Sequence, residues 1–133
     1  MPLEHSLLAE LETTFADGSA DRQAEILRRV TDLFLAGASQ YSDEQVTLFD
    51  GVISRLAEKI ETKARTELAI RLAPTGNAPP TTVRRLARDE SIEVAGPILT
   101  QSNRLTDDDL LAIAQDDNHV SGQNRLLAIS KRT

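Results

Sequence analysis

Two stretches in the second half of the chain repeat each other at a fixed offset. Leu86-Ala87-Arg88-Asp89-Glu90-Ser91 leads into a helical pattern at 92–100. Ile113-Ala114-Gln115-Asp116-Asp117-Asn118 leads into another at 119–130, 27 residues further on. Each copy reads as a short helix, a tight polar turn and a second helix. A helix pair of this length cannot bury its apolar face alone and must stack on neighbours. Stacking of this kind builds α-solenoids, which usually serve as binding surfaces. The repeat therefore constrains the architecture far more than the activity.

The rest of the chain follows the same period. Leu3, Leu7, Leu8, Leu11 and Phe15 form one helical stripe, which Asp17-Gly18 ends. Ser19 is placed to cap a second helix with the stripe Ile26, Leu27, Val30, Leu33 and Phe34, and Gly37 is its stop. Ser42-Asp43-Glu44-Gln45 has the form of a capping box. Behind it Val46, Phe49, Val52, Ile53, Leu56 and Ile60 make the longest stripe, with Gly51 inside the helix. Ala64, Leu68 and Leu72 continue the pattern to Ala73, with a bend expected near Glu61-Thr62. The breaker run Pro74-Thr75-Gly76-Asn77-Ala78-Pro79-Pro80 then separates an N-terminal helical bundle, 1–73, from two helix pairs, 80–130. Pro80 suits the first turn of the helix at 81–88, and Pro97 falls inside the next. Thr106 begins a further helix, packed by Leu110, Leu111, Ile113 and Ala114. No strand-length alternation occurs, so the expectation is a single all-α domain. The last pattern, Leu126, Leu127 and Ile129, runs almost to Thr133 without a polar capping unit. It suggests an apolar open end, self-association there, and a chain that is the N-terminal part of a longer protein.

Composition bounds the function. Forty per cent of the 133 residues are hydrophobic, enough for a core. The chain has no cysteine, which removes disulfides and thiolate metal sites and fits a reducing cytoplasm. No apolar run reaches the roughly 20 residues of a membrane span, and Met1-Pro2-Leu3-Glu4-His5 has neither the basic nor the apolar region expected of a signal peptide. The aromatic residues Phe15, Phe34, Tyr41 and Phe49 lie within the first 50 positions, so the later core must be aliphatic. The net charge of −6 is unevenly spread: residues 1–61 carry −7, residues 62–88 carry +5 and residues 89–133 carry −4.

Catalytic chemistry is sparse. Only His5 and His119 could serve as a histidine base, and no nucleophile elbow, phosphate-binding glycine loop or His-Glu-x-x-His occurs. Asp107-Asp108-Asp109 and Asp116-Asp117-Asn118-His119 are the best divalent-cation candidates, but acidic residues at helix starts are favoured by the helix dipole in any case. No catalytic residue, metal or cofactor is expected. The basic segment is the more promising surface. Arg84, Arg85 and Arg88 share one helix and Lys63, Arg65 and Arg71 the one before it, so neighbouring helices would join them into a patch. The competing expectation is a solvated face, or pairing with Glu90, Glu93 and the acidic N-terminal helices.

Several strings carry a resemblance: Glu61-Thr62-Lys63-Ala64-Arg65, Arg71-Leu72-Ala73-Pro74, Asn77-Ala78-Pro79-Pro80, Val83-Arg84-Arg85-Leu86-Ala87-Arg88-Asp89, Ile92-Glu93-Val94-Ala95-Gly96-Pro97-Ile98-Leu99 and Leu105-Thr106-Asp107-Asp108-Asp109-Leu110. Together, over about residues 40–130, they resemble a bacterial family catalogued only as domain of unknown function 2336. The resemblance implies HEAT-like helical repeats and members longer than this chain. It implies no activity. The leading expectation is a non-catalytic protein-interaction scaffold, with Arg84, Arg85 and Arg88 as anchors for an acidic protein partner. The second is a helical-repeat protein that binds or processes nucleic acid through residues 62–88.

Overall fold

The computed structural model describes residues 13, 15, 18–115 and 127–132. Every regular element among them is helical, and no strand occurs. No helix among the described residues is long and apolar enough to cross a membrane. The stripe Leu3, Leu7, Leu8 and Leu11 lies outside them; Phe15, at its end, is buried.

The first long helix, α1 (Ala20–Gly37), starts on a local cap. The Arg22 N–H donates to Ser19 Oγ at 3.3 Å, satisfying one of the donors that a helix start leaves open. Its inward face is Ile26, Leu27, Val30 and Phe34, with Leu33 partly covered. Thr31 is buried as well, and its hydroxyl donates to the Leu27 carbonyl at 2.8 Å. A 3-10 turn (Ala38–Gln40) leads to α2 (Asp43–Glu58). There the Gln45 N–H donates to Ser42 Oγ at 3.2 Å and the Ser42 N–H to Gln45 Oε1 at 2.9 Å, a complete capping box.

The expected bend near Glu61-Thr62 is a full break. α2 ends at Glu58, and α3 (Thr62–Leu72) is a separate helix. The Arg65 guanidinium explains how the turn is held: it donates to the Ile60 carbonyl at 2.6 Å, to Thr62 Oγ1 at 3.2 Å and to Asp89 Oδ2 at 2.8 Å. Gly51 serves no close helix contact, because a Cβ there would meet only Arg55 Nη1, at 3.4 Å.

After the breaker run come α4 (Pro80–Ala87), α5 (Ile92–Gln101) and α6 (Asp107–Gln115), and residues 127–130 are helical. Pro80 sits in the first turn of α4, and Pro97 lies inside α5. The first copy of the sequence repeat is thus α4, a turn and α5. In the second copy α6 and 127–130 are seen, and 116–126 fall outside the described residues. Leu111 departs from expectation: it is 57 % exposed, and Ile113 is the buried anchor of α6. Both lie on one short helix, and only the side carrying Ile113 and the half-buried Leu110 meets the core.

The most extensive contacts are α3 on α5 and α2 on α4, followed by α4 with α5 and α1 with α2; α3 with α4 and α1 with α3 meet more lightly. Side-chain links fix the direction of this packing. Arg28 on α1 pairs with Glu67 on α3, Asp32 with Arg71, and the Asn77 amide donates to the Ala38 carbonyl, all 39 residues apart. A constant offset means that α1 and α3 run parallel. The last link has counterparts further on. Arg104 Nε donates to the Ala78 carbonyl at 2.7 Å, and Arg132 donates to the carbonyls of Leu99 and Ser102 at 2.7 and 2.5 Å. Each reaches back to a carbonyl at the end of a helix or in a turn.

The core changes character along the stack. Phe34, Tyr41 and Phe49 cluster with ring centroids 5.2 to 5.8 Å apart, and the Tyr41 hydroxyl donates to the Leu33 carbonyl at 3.1 Å. Beyond them the buried set is aliphatic: Leu68, Leu72, Val83, Leu86, Val94, Ile98 and Leu99.

Candidate interaction surface

The outward side of α4 is set by its period. Thr82, Val83, Leu86 and Ala87 are buried, which leaves Thr81, Arg84, Arg85 and Arg88 exposed. α4 has no side-chain cap of its own. Asp50, near the middle of α2 and 5 % exposed, supplies one from outside. Its carboxylate accepts the N–H of Thr81 at 2.9 Å, the N–H of Thr82 at 2.8 Å and the Thr82 hydroxyl at 2.9 Å. This fixes α4 on α2 and thereby positions the arginines.

The six basic residues singled out in the sequence do not meet in one patch. Arg84 and Arg85 lie on α4, and Arg88 caps its C-terminal end. Arg84 Nε donates to Asp109 Oδ2 on α6 at 3.4 Å, and Arg85 pairs with Glu58 at the end of α2. Arg65 turns inward to Asp89, the most buried of the pairs. Arg71 faces the other way, to Asp32 on α1. Lys63 is exposed and lines a groove between α1 and α3 with Asp21, Arg28, Glu61 and Glu67. Pairing is therefore the main fate of the basic segment, as the competing expectation held. Asp32 and Glu58 lie on the N-terminal helices, as expected, whereas Asp89 and Asp109 take the places for which Glu90 and Glu93 were named.

Arg55 belongs to this surface and was missed. It is exposed on α2 one turn before Glu58, and its guanidinium lies over Gly51. The period of α2 placed it opposite the apolar stripe, but it falls outside the segment that charge counting marked. Arg55 and Arg88 both have interaction partners within the chain. Asp109 has a distinct electrostatic setting. The Thr106 N–H, which donates to it at 3.0 Å, holds its carboxyl below the ordinary value, and the Thr106 hydroxyl and Arg84 act the same way against partial burial.

The acidic clusters are explained locally where they are described. Asp107, Asp108 and Asp109 occupy the first turn of α6, where the dipole favours them. Asp116-Asp117-Asn118-His119, like His5, lies outside the described residues. Among the described residues no three His, Asp or Glu side chains are gathered to hold a metal ion.

Comparison with known proteins adds no relative: no family model, curated protein or solved structure matches the chain. The resemblance to domain of unknown function 2336 rests on the strings quoted for it.

Proposed function

We propose that this chain is a non-catalytic protein-protein interaction scaffold, a short HEAT-like stack in which an N-terminal helical bundle continues into helix pairs. The observation that carries the reading is the packing of α1 on α3, α3 on α5 and α2 on α4. Such packing turns successive helices into parallel rows whose outward stripes form one extended surface, the usual use of a helical stack. The resemblance to the family of unknown function supports the helical-repeat architecture and leaves the activity open, and a cytoplasmic setting accompanies the reading.

The nucleic-acid reading carries less. A phosphate backbone is bound by rows of cations that release its counterions. Here Arg65, Arg71, Arg84 and Arg85 each contact a carboxylate, which gives the surface mixed sign. Mixed sign suits a protein partner, which brings charges of both kinds. Self-association belongs to the same reading, with Leu111 and Leu127, each 57 % exposed, as its apolar contacts.

A photo-crosslinking residue at Thr81, on the exposed side of α4, tests the reading against the same residue at Gln40. A discrete, protease-sensitive adduct from position 81 alone supports the scaffold. A nuclease-sensitive adduct there overturns it in favour of nucleic acid.

A further inference from the structure

We infer that residues 127–132 form a strap over the end of α5, held by one catch, the Arg132 guanidinium, and able to lift while the earlier helices stay packed. Three observations support it. First, the hold is concentrated in one side chain. Arg132 donates to the carbonyls of Leu99 at 2.7 Å, Ser102 at 2.5 Å and Ile98 at 3.4 Å. These lie in the last turn of α5 and at its C-cap, where the helix dipole favours a cation. Second, the strap has little else to hold it. Thr100 Oγ1 donates to the Ala128 carbonyl at 3.4 Å. Ala128 is buried and Ile129 half-buried, whereas Leu127, Ser130 and Lys131 are exposed. Third, the same kind of link recurs along the stack with stronger backing. Asn77, Arg104 and Arg132 follow one another at 27 and 28 residues, close to the period of the sequence repeat, and bind carbonyls that follow α1, α3 and α5. The first two links are backed by the buried Leu68, Leu72, Val94, Ile98 and Leu99 of α3 and α5. The third has Ala128.

Local opening follows from this imbalance. Hydrophobic stabilisation scales with the apolar surface removed from water, and one alanine removes little. Hydrogen bonds from a charged donor are stronger than neutral ones, so Arg132 supplies most of the hold. When the catch releases, the guanidinium and the Leu99 and Ser102 carbonyls pass to water, and the end of α5 becomes accessible. Ser102 stays tied from its other side, because its hydroxyl accepts the Arg104 N–H at 3.2 Å while Arg104 Nε holds the Ala78 carbonyl. The lift therefore stops at Ser102. Segments with few buried contacts open on their own in this way, below the free energy of global unfolding. The strap is a conformational device that regulates access to the end of α5 and leaves the earlier joints closed.

The test is amide hydrogen exchange, read residue by residue by NMR on the full chain. The amides at 102, 131 and 132 donate to the carbonyls of Ile98, Ala128 and Ile129, and so report on the strap and on the helix end beneath it. Arg132→Ala should lower their protection by about tenfold or more. The amides of Val30 and Leu68, in α1 and α3, should stay within about twofold of the parent. Arg132→Lys keeps a charged donor without the fork and should fall between the two. Lys131→Ala removes the exposed cation next to the catch and should match the parent within about twofold. Circular dichroism checks that each variant is folded. Unchanged protection at 102, 131 and 132 in Arg132→Ala overturns the catch. An equal loss of protection at Val30 and Leu68 means that Arg132 supports the whole fold, and overturns the strap. A loss in Lys131→Ala as large as in Arg132→Ala overturns the assignment to the guanidinium.

Discussion

Asp50 accepts the Thr82 N–H at 2.8 Å and the Thr82 hydroxyl at 2.9 Å, so a side chain from within α2 caps the start of α4. The cap crosses 32 residues of sequence and ties together two helices that share no turn. Asp50→Ala leaves two N–H groups and a hydroxyl without their acceptor at a buried site. Its expected cost is about 1.5–3 kcal/mol, the range for hydrogen bonds to a charged group. Asp50→Asn keeps one acceptor oxygen and should cost less. Chemical denaturation of both variants checks this, and equal stability of Asp50→Ala and the parent would remove the cap from the account of how α4 is held.

Leu56 and Glu58 stand two residues apart on α2 with opposite surroundings. Leu56 is 1 % exposed, whereas Glu58 is half exposed in its contact with Arg85. Leu56→Ala should cost about 2–5 kcal/mol through lost contacts and the cavity left behind. Glu58→Ala should stay within about 0.5 kcal/mol. Similar denaturation midpoints for the two would mean that α2 presents a different face to the core.

Helix starts were legible in the sequence because capping is local. Ser19, Ser42, Pro80 and Thr106 each act within four residues of their own position. The inward stripes of α1 and α2 were legible for the same reason, since their period is a property of one helix. What joins the helices was not. Asn77 to Ala38 spans 39 residues, Arg104 to Ala78 spans 26 and Arg65 to Asp89 spans 24, and no local pattern announces such links. The basic segment was visible as charge, but its neutralisation depends on acceptors brought in from α1, α2 and α6. Asp50 had a faint signal: a carboxylate between Phe49 and the apolar pair Val52-Ile53 sits on the wrong side of an amphipathic helix.

Two ion pairs of opposite polarity set the register of α1 on α3. Arg28 binds Glu67 through bonds of 3.0 to 3.2 Å, and one turn later Asp32 meets Arg71. Sliding either helix by a turn would bring Arg28 toward Arg71 or Asp32 toward Glu67, setting like charges together. Glu67→Arg alone should lower the melting temperature, and Arg28→Glu combined with Glu67→Arg should recover most of the loss. The recovery should shrink as salt is added, because both pairs are solvent-exposed. A double variant no more stable than the sum of its single changes would show that the two side chains are not coupled.

Asp109 closes the cap of α6 by accepting the Thr106 N–H, while its own N–H donates to Thr106 Oγ1, each at 3.0 Å. The Thr106 N–H holds the carboxyl below its ordinary value. Folding is then linked to a proton that the folded chain binds less readily than the unfolded one. The sign follows: the contribution is complete above the unfolded carboxyl value, about 3.9, and is lost as pH falls through the lower folded value. Asp109→Asn should therefore lie below the parent in stability near neutral pH, by an amount that stays constant down to about pH 5. Below about pH 4 the gap should close as the parent's carboxyl is protonated. Melting temperatures of the two chains across this range decide the matter. A gap unchanged at the most acidic pH would mean that the carboxylate charge contributes nothing and that the cap works through shape alone.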